Sequence, residues 1–143
     1  MLSVIVTPGD PERVAGLLSA LVPGVVENLV REVAVVGEGE LLHALCEASG
    51  ARLIANVPEA VAGARGEWLL IVPPELRMAD GWVERLADHL RDGVREARLQ
   101  GRGEGFFKPG AQGVLVARSR AASAQGGLQQ LARKLGRGAP RIR

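Results

Sequence analysis

The sequence predicts an α/β fold: a three-layer, Rossmann-like sandwich in which helices cover both faces of a mainly parallel sheet. Three observations carry this. Short, continuous apolar runs alternate four times with segments of helical period before residue 97, the pattern of strands joined by crossover helices. Such crossovers are right-handed, which leads to a doubly wound order. The length, 143 residues, suits one domain (1–143), because dividing it would leave two starved cores.

The elements follow in order. Leu2 to Thr7 (LSVIVT) is a buried strand, stopped by Pro8-Gly9. Asp10 is placed as N-cap and Pro11 at the first helical position of a helix carrying Val14, Leu17, Leu18 and Leu21 at helical spacing. Pro23-Gly24 is expected to end it. Val30 to Val36 (VREVAVV) is the second strand, followed by the turn Gly37-Glu38-Gly39. A helix from Glu40 to Ser49 should turn Leu41, Leu42, Leu45 and Cys46 inward and finish on Gly50. Ala51 to Ala55 is a short third strand, Pro58 to Ala64 a short helix, and Glu67 to Val72 (EWLLIV) a fourth strand broken by Pro73-Pro74. Asp80 should cap a helix reaching about Glu96, with Trp82, Val83, Leu86, Leu90 and Val94 inward. Gly101 to Gly113 reads as a glycine-rich, basic connection. Gly113 to Ala117 is a fifth strand, Leu128, Leu131 and Leu135 mark a last helix, and Ala139 to Arg143 is a small extended end.

Composition excludes several classes. At 47% hydrophobic and 24% charged residues, the chain is too apolar for disorder and too interrupted by charge for a membrane protein. The longest apolar run, Trp68 to Pro74, is too short to span a bilayer. No basic residue precedes the first apolar stretch and no small-residue cleavage site follows it, so no secretory leader is expected. The single cysteine, Cys46, excludes an internal disulfide and a cysteine-cluster metal site. A cytoplasmic location is the expectation.

The net charge of +2 hides an asymmetry. Residues 1–96 carry 15 acidic and 8 basic side chains, a balance of −7, whereas residues 97–143 carry one acid, Glu104, and 10 basic side chains, a balance of +9. The split suggests a basic surface for an anionic partner or a basic tail lying on an acidic body, the second being preferred. Arg118, Arg120, Arg133, Lys134 and Arg137 are the candidate partner or anion surface. Arg98, Arg102 and Lys108 around Phe106-Phe107 could offer single-stranded nucleic acid a basic, aromatic face. With no recognition motif beside the charge, this ranks last, behind a protein partner or a homo-oligomer.

Ligands of doubly wound sheets bind beyond the carboxyl ends of the strands, which selects Thr7-Pro8-Gly9-Asp10, Gly37-Glu38-Gly39-Glu40 and Pro73-Pro74-Glu75. At these segments the sequence resembles family 2 glycosyltransferases of the GT-A fold. Ser3-Val4-Ile5-Val6-Thr7-Pro8 looks like that family's opening strand, and Arg31 to Gly37 like the strand before its acidic turn. Ala64 to Val72 is similar to the strand before its metal-binding Asp-x-Asp. Gly81-Trp82 and its helix, Gln112 to Arg118, and Gly126-Gly127 match later pieces in the same order. The resemblance implies a GT-A-like sandwich, with residues 1–96 as the nucleotide-binding-type half and 97–143 as a basic, shortened acceptor-type half. It also implies a nucleotide-sugar donor, Mg²⁺ or Mn²⁺ on its diphosphate, and a carboxylate base.

The sequence departs from that pattern where the chemistry sits. Pro73 stands at the first metal aspartate and Pro74 follows; neither has a ligating side chain or an N–H. Only Glu75 falls at the second aspartate. It is either a surviving oxygen ligand or, as preferred, a solvated carboxylate at a strand end. The uridine-reading aspartate falls at Gly37 or Glu38. Leu128-Gln129-Gln130-Leu131 holds no acceptor-site carboxylate. The loss of several parts together implies decayed catalysis, with no catalytic residue assigned. Thr7, Pro8, Asp10 and Glu38 are left as vestigial nucleotide-binding candidates, and a metal with a nucleotide-sugar is expected only if activity is retained. A non-enzymatic binding or assembly subunit on the same fold is the alternative. His43 and His89 have no partner at ligand spacing, and Cys46 is expected to be inert core.

Overall fold

The computed structural model describes residues 2–91, 96–101, 112–123 and 141–142. Along them run β1 (Leu2–Val6), α1 (Pro11–Val26), β2 (Val30–Val36), α2 (Glu40–Ser49), β3 (Arg52–Ile54), α3 (Val57–Gly63), β4 (Trp68–Val72), α4 (Trp82–Arg91), β5 (Ala97–Gln100), β6 (Gln112–Ala117), α5 (Arg118–Ser123) and β7 (Arg141–Ile142). All the strands among the described residues join one sheet in the order β3-β2-β1-β4-β6-β5-β7. The pairs β1–β2, β1–β4, β2–β3 and β5–β7 are parallel. Only β6 runs against its neighbours, β4 and β5. The mainly parallel, three-layer sandwich expected from the sequence is therefore the fold observed.

Period-two alternation sorts the strand side chains between the two layers. Val4 and Val6 of β1, Leu70 and Val72 of β4, and Leu115 of β6 face one core with α1, α2 and α4. Ile5, Leu69, Ile71, Val114 and Val116 face the other, under α3 and α5. β1 and β4 are buried along almost their whole length, as central parallel strands covered on both faces must be. The one buried polar side chain among them, Ser3, is satisfied: its hydroxyl oxygen accepts the Gly66 N–H at 2.8 Å.

Local signals explain three of the helix ends. The Asp10 carboxylate accepts the Glu12 N–H at 3.0 Å, and Pro11 opens α1. The Asn56 side chain caps α3 through the Glu59 N–H, and Gly50, at φ 81°, closes α2 in the left-handed conformation that glycine adopts without strain.

Four expectations are corrected. First, α1 does not stop at Pro23-Gly24 but continues to Val26. Pro23 forfeits one amide donor, yet its own carbonyl still accepts the Glu27 N–H at 3.0 Å and the Gly24 carbonyl accepts Leu29 at 2.9 Å. Gly24 is also buried against the Trp82 ring, so packing holds the last turn. Second, Leu41 lies 74% exposed; only Leu42 and Cys46 of α2 are fully buried. Third, the helix expected to reach Glu96 is described only to Arg91, and Ala97–Gln100 forms a strand. Ala97 and Leu99 are buried on one face, the alternation of a strand rather than the stripe of a helix. Fourth, Arg118 begins a short helix, α5, that the sequence did not announce. Val94, Glu104, the phenylalanines and the expected helix at 128–135 lie outside the described residues, and β7 occupies the expected extended end.

Candidate functional site

The strand order reverses between β1 and β4: β2 and β3 lie to one side of β1, and β4 to the other. In open α/β sheets this is where a crevice forms beyond the strand ends. Here that point is closed. Thr7 extends the ladder by donating its N–H to the Val72 carbonyl at 2.9 Å, and its hydroxyl donates to the same oxygen at 3.4 Å. Beyond it the Pro74 ring lies on Gly9, so tightly that a Cβ on Gly9 would fall 2.6 Å from Pro74 Cγ. Pro74 is buried, while Pro8, Gly9 and Asp10 remain exposed around it. The loops that follow β1 and β4 thus touch each other.

Open space lies on either side of this plug. One cleft, of about 590 Å³, is beyond β2 and β3, between the first turns of α2 and the end of β3. Glu38, Glu40, His43 and Glu47 rim it over Leu53 and Ile54. Gly39 starts α2 at φ 113° without a side-chain cap, so the glycine provides the sharp entry and leaves the first amides of the helix uncovered. His43 Nε2 lies 3.4 Å from Glu47 Oε1, one turn on. The other cleft, of about 360 Å³, separates α1 from the segment 74–78. In that segment Pro74, Leu76 and Met78 are buried while Glu75 and Arg77 are exposed, a two-residue alternation. Glu75 therefore shares the α1 cleft with Arg13 and Arg77.

The candidate residues are thus dispersed. Thr7, Pro8 and Asp10 stand at the plugged end of β1; Asp10 serves the α1 cap. Glu38 belongs to the cleft beyond β2, and Glu75 to the cleft beside α1. Arg118 crosses to α3, donating to the Ala64 carbonyl at 3.2 Å and the Arg65 carbonyl at 3.4 Å. Arg120 pairs with the largely buried Glu96 at 2.7 Å. Arg133, Lys134, Arg137, Arg102 and Lys108 lie outside the described residues. Arg98 is on β5 and half-buried. Burial pushes the Cys46 thiol above its ordinary range, so it stays protonated among the α2 core residues. Sequence reasoning passed over Arg13 and Arg77; the alternation at 74–78 was the available signal for the second.

No family model and no curated protein matches the chain. Solved structures do. Over 83% of this chain, glucosyl-3-phosphoglycerate synthase from Mycobacterium tuberculosis, in complex with phosphoglyceric acid, superposes with a TM-score of 0.63 at 17% identity. The fold is GT-A-like. The same synthase in complex with Mn²⁺ and UDP-glucose gives a TM-score of 0.61 at 16% identity, and a structure described as a mycobacterial protein gives 0.62 at 18%. The chain spans 57% of the synthase in the first comparison and 53% of the mycobacterial protein, little more than half of either. At such identities the likeness is one of fold. Among the described residues, no helix is long and apolar enough to cross a membrane.

Proposed function

We propose that this chain is a catalytically degenerate relative of nucleotide-sugar-dependent glycosyltransferases, keeping their GT-A-like sandwich without their transfer chemistry. The observation that carries the reading is the Pro74 ring seated on Gly9 at the point where the strand order reverses. A diphosphate there would have to displace a buried proline packed on backbone. The side chains nearby do not suit a divalent cation either. Pro73 and Pro74 offer no side-chain oxygen, and Glu75 lines a cleft with two arginines. The synthase it resembles in fold is described in complex with Mn²⁺ and UDP-glucose.

Calorimetric titration with UDP-glucose and GDP-mannose, each with and without Mn²⁺, tests the reading. No heat that depends on the metal is expected. Binding in the micromolar range that disappears with a chelator would restore an active donor site.

A second reading, a non-enzymatic subunit docking a partner protein, rests on a different surface. Val22, Val25 and Val26, at the end of α1, are 53%, 48% and 70% exposed. Val22 and Val25 border an apolar cleft between α1 and α2 that also holds Leu18, Val33 and Leu45. Contiguous exposed apolar surface marks interaction sites. Affinity purification from the source should return a stoichiometric protein that a Val22→Asp, Val26→Asp chain fails to retain. Equal recovery with that variant, or a lone monomer at low and high salt, would remove this reading.

A further inference from the structure

Helix α1 lies at the surface but lacks a charged face over most of its length. Residues 14–26 hold no charged side chain. The exposed positions among them are Gly16, Ser19, Val22, Pro23, Val25 and Val26, and the Ser19 hydroxyl is their one polar side-chain group. A helix that meets water on its outer side normally carries its charge there. Val22 and Val25 also border the groove of about 490 Å³ between α1 and α2, with Ala15, Leu18 and Ser19 along the same wall and Leu45 opposite. Leu41 of α2 is the other large apolar side chain exposed among the described residues, and it belongs to the same helical layer.

Two charges bracket this stretch. Arg13 stands in the first turn of α1 and Glu27 at its C-cap, both exposed. Four helical turns take about 14 residues and roughly 21 Å, so the two lie on one side of the helix with Ala20 midway. One surface therefore holds a cation at one end, an anion at the other, and apolar or small side chains between. Such a surface complements itself when turned end for end, whereas a parallel copy would set Arg13 on Arg13 and Glu27 on Glu27. Self-complementarity is what an isologous interface demands, since the same patch must serve both subunits.

We propose that this face is covered by a second copy of the chain, in a two-fold dimer whose α1 helices run antiparallel with the axis beside Ala20. Arg13 of each copy then faces Glu27 of the partner subunit. Ala15 meets Val25 of the partner subunit, and Val22 meets Leu18 of the partner subunit, so that small side chains take large ones. Burial of the apolar stretch supplies the affinity, and the ion pairs at its two ends fix the direction. The proposal rests on the docking reading for its surface and makes the occupant a second copy.

Sedimentation velocity of the full chain at low salt, over a concentration series from micromolar to millimolar, tests this. A reversible species of twice the chain mass is expected. Val22→Asp with Val26→Asp, at positions already exposed, should weaken it by roughly a hundredfold or more, because charges would be buried without partners. The melting temperature of the dilute chain should be preserved. Arg13→Glu alone and Glu27→Arg alone each bring like charges together at both ends and should weaken the dimer by about tenfold. Combining the two reversals restores opposite charges and should return the affinity to within about twofold; both also suit the helix dipole. A monomer throughout the series overturns the proposal. So does a dimer that the valine variant leaves intact, that the single reversals do not weaken, or that the combined reversal fails to restore. A different protein retained through Val22 and Val26, by a chain that is monomeric on its own, overturns the dimer and leaves the docking reading standing.

Discussion

A Gly66→Ala chain is expected to be destabilised by about 3 kcal/mol or more, a penalty at the severe end for overpacking because the obstacle is backbone. Gly66 sits against the start of β1. A Cβ there would lie 2.7 Å from both the Ser3 amide nitrogen and its hydroxyl oxygen, and 3.0 Å from the Leu2 carbonyl carbon. The Ser3 oxygen could move, but the strand cannot, because it is bonded to β2 on one side and β4 on the other. The added methyl also pushes away the Gly66 N–H that Ser3 accepts at 2.8 Å, leaving a buried hydroxyl and amide without each other. The shift corresponds to roughly 10 °C in melting temperature for a chain of this size. Thermal unfolding followed by circular dichroism reads it. A Ser3→Ala, Gly66→Ala chain should recover little, since the backbone contact remains. Full recovery would show that the hydroxyl alone sets the fit.

Leu70→Ala is expected to cost about 3–4 kcal/mol, within the span of buried leucine truncations. Leu70 is fully buried at the centre of β4, opposite Val4 of β1 and Leu115 of β6, in the core shared with α1, α2 and α4. A strand hydrogen-bonded to neighbours on both sides cannot collapse into the space the side chain leaves, so the cavity term persists. Urea unfolding should show a fall in midpoint with little change in slope. Leu41→Ala is the contrast: at 74% exposure it should change stability by no more than about 0.5 kcal/mol. A loss below about 1 kcal/mol for Leu70→Ala would mean that the central strand is packed more loosely than described.

Much of this architecture is legible in residue order. The runs Leu2–Val6, Val30–Val36 and Trp68–Val72 are apolar and β-rich, and each became a strand within a residue of its expected limits. Asp10-Pro11 and Gly50 announced helix ends that the structure uses in those roles. These signals are local: a cap, a turn conformer or a side-chain period acts through neighbouring residues. Where a local signal competed with packing, the reading failed. Pro23 is a helix breaker by its missing N–H, yet Trp82 and Val30 close over Gly24 and hold the last turn. Leu41 has the chemistry of a core residue but lies on the exposed side of α2.

The candidate site divides along the same line. The sequence by itself determined the mainly parallel sandwich and the three strand ends where a ligand would be sought. It could not determine that Pro74 would settle on Gly9, because those residues are 65 positions apart and meet only when β1 and β4 pair. Nor could it place Glu75 and Arg77 beside Arg13, since that depends on how α1 lies against the loop after β4. Composition and period specify which face of an element is buried. Which faces, turns and charges come together is decided by long-range strand pairing and by the volume left between layers, and that information exists only in the folded chain.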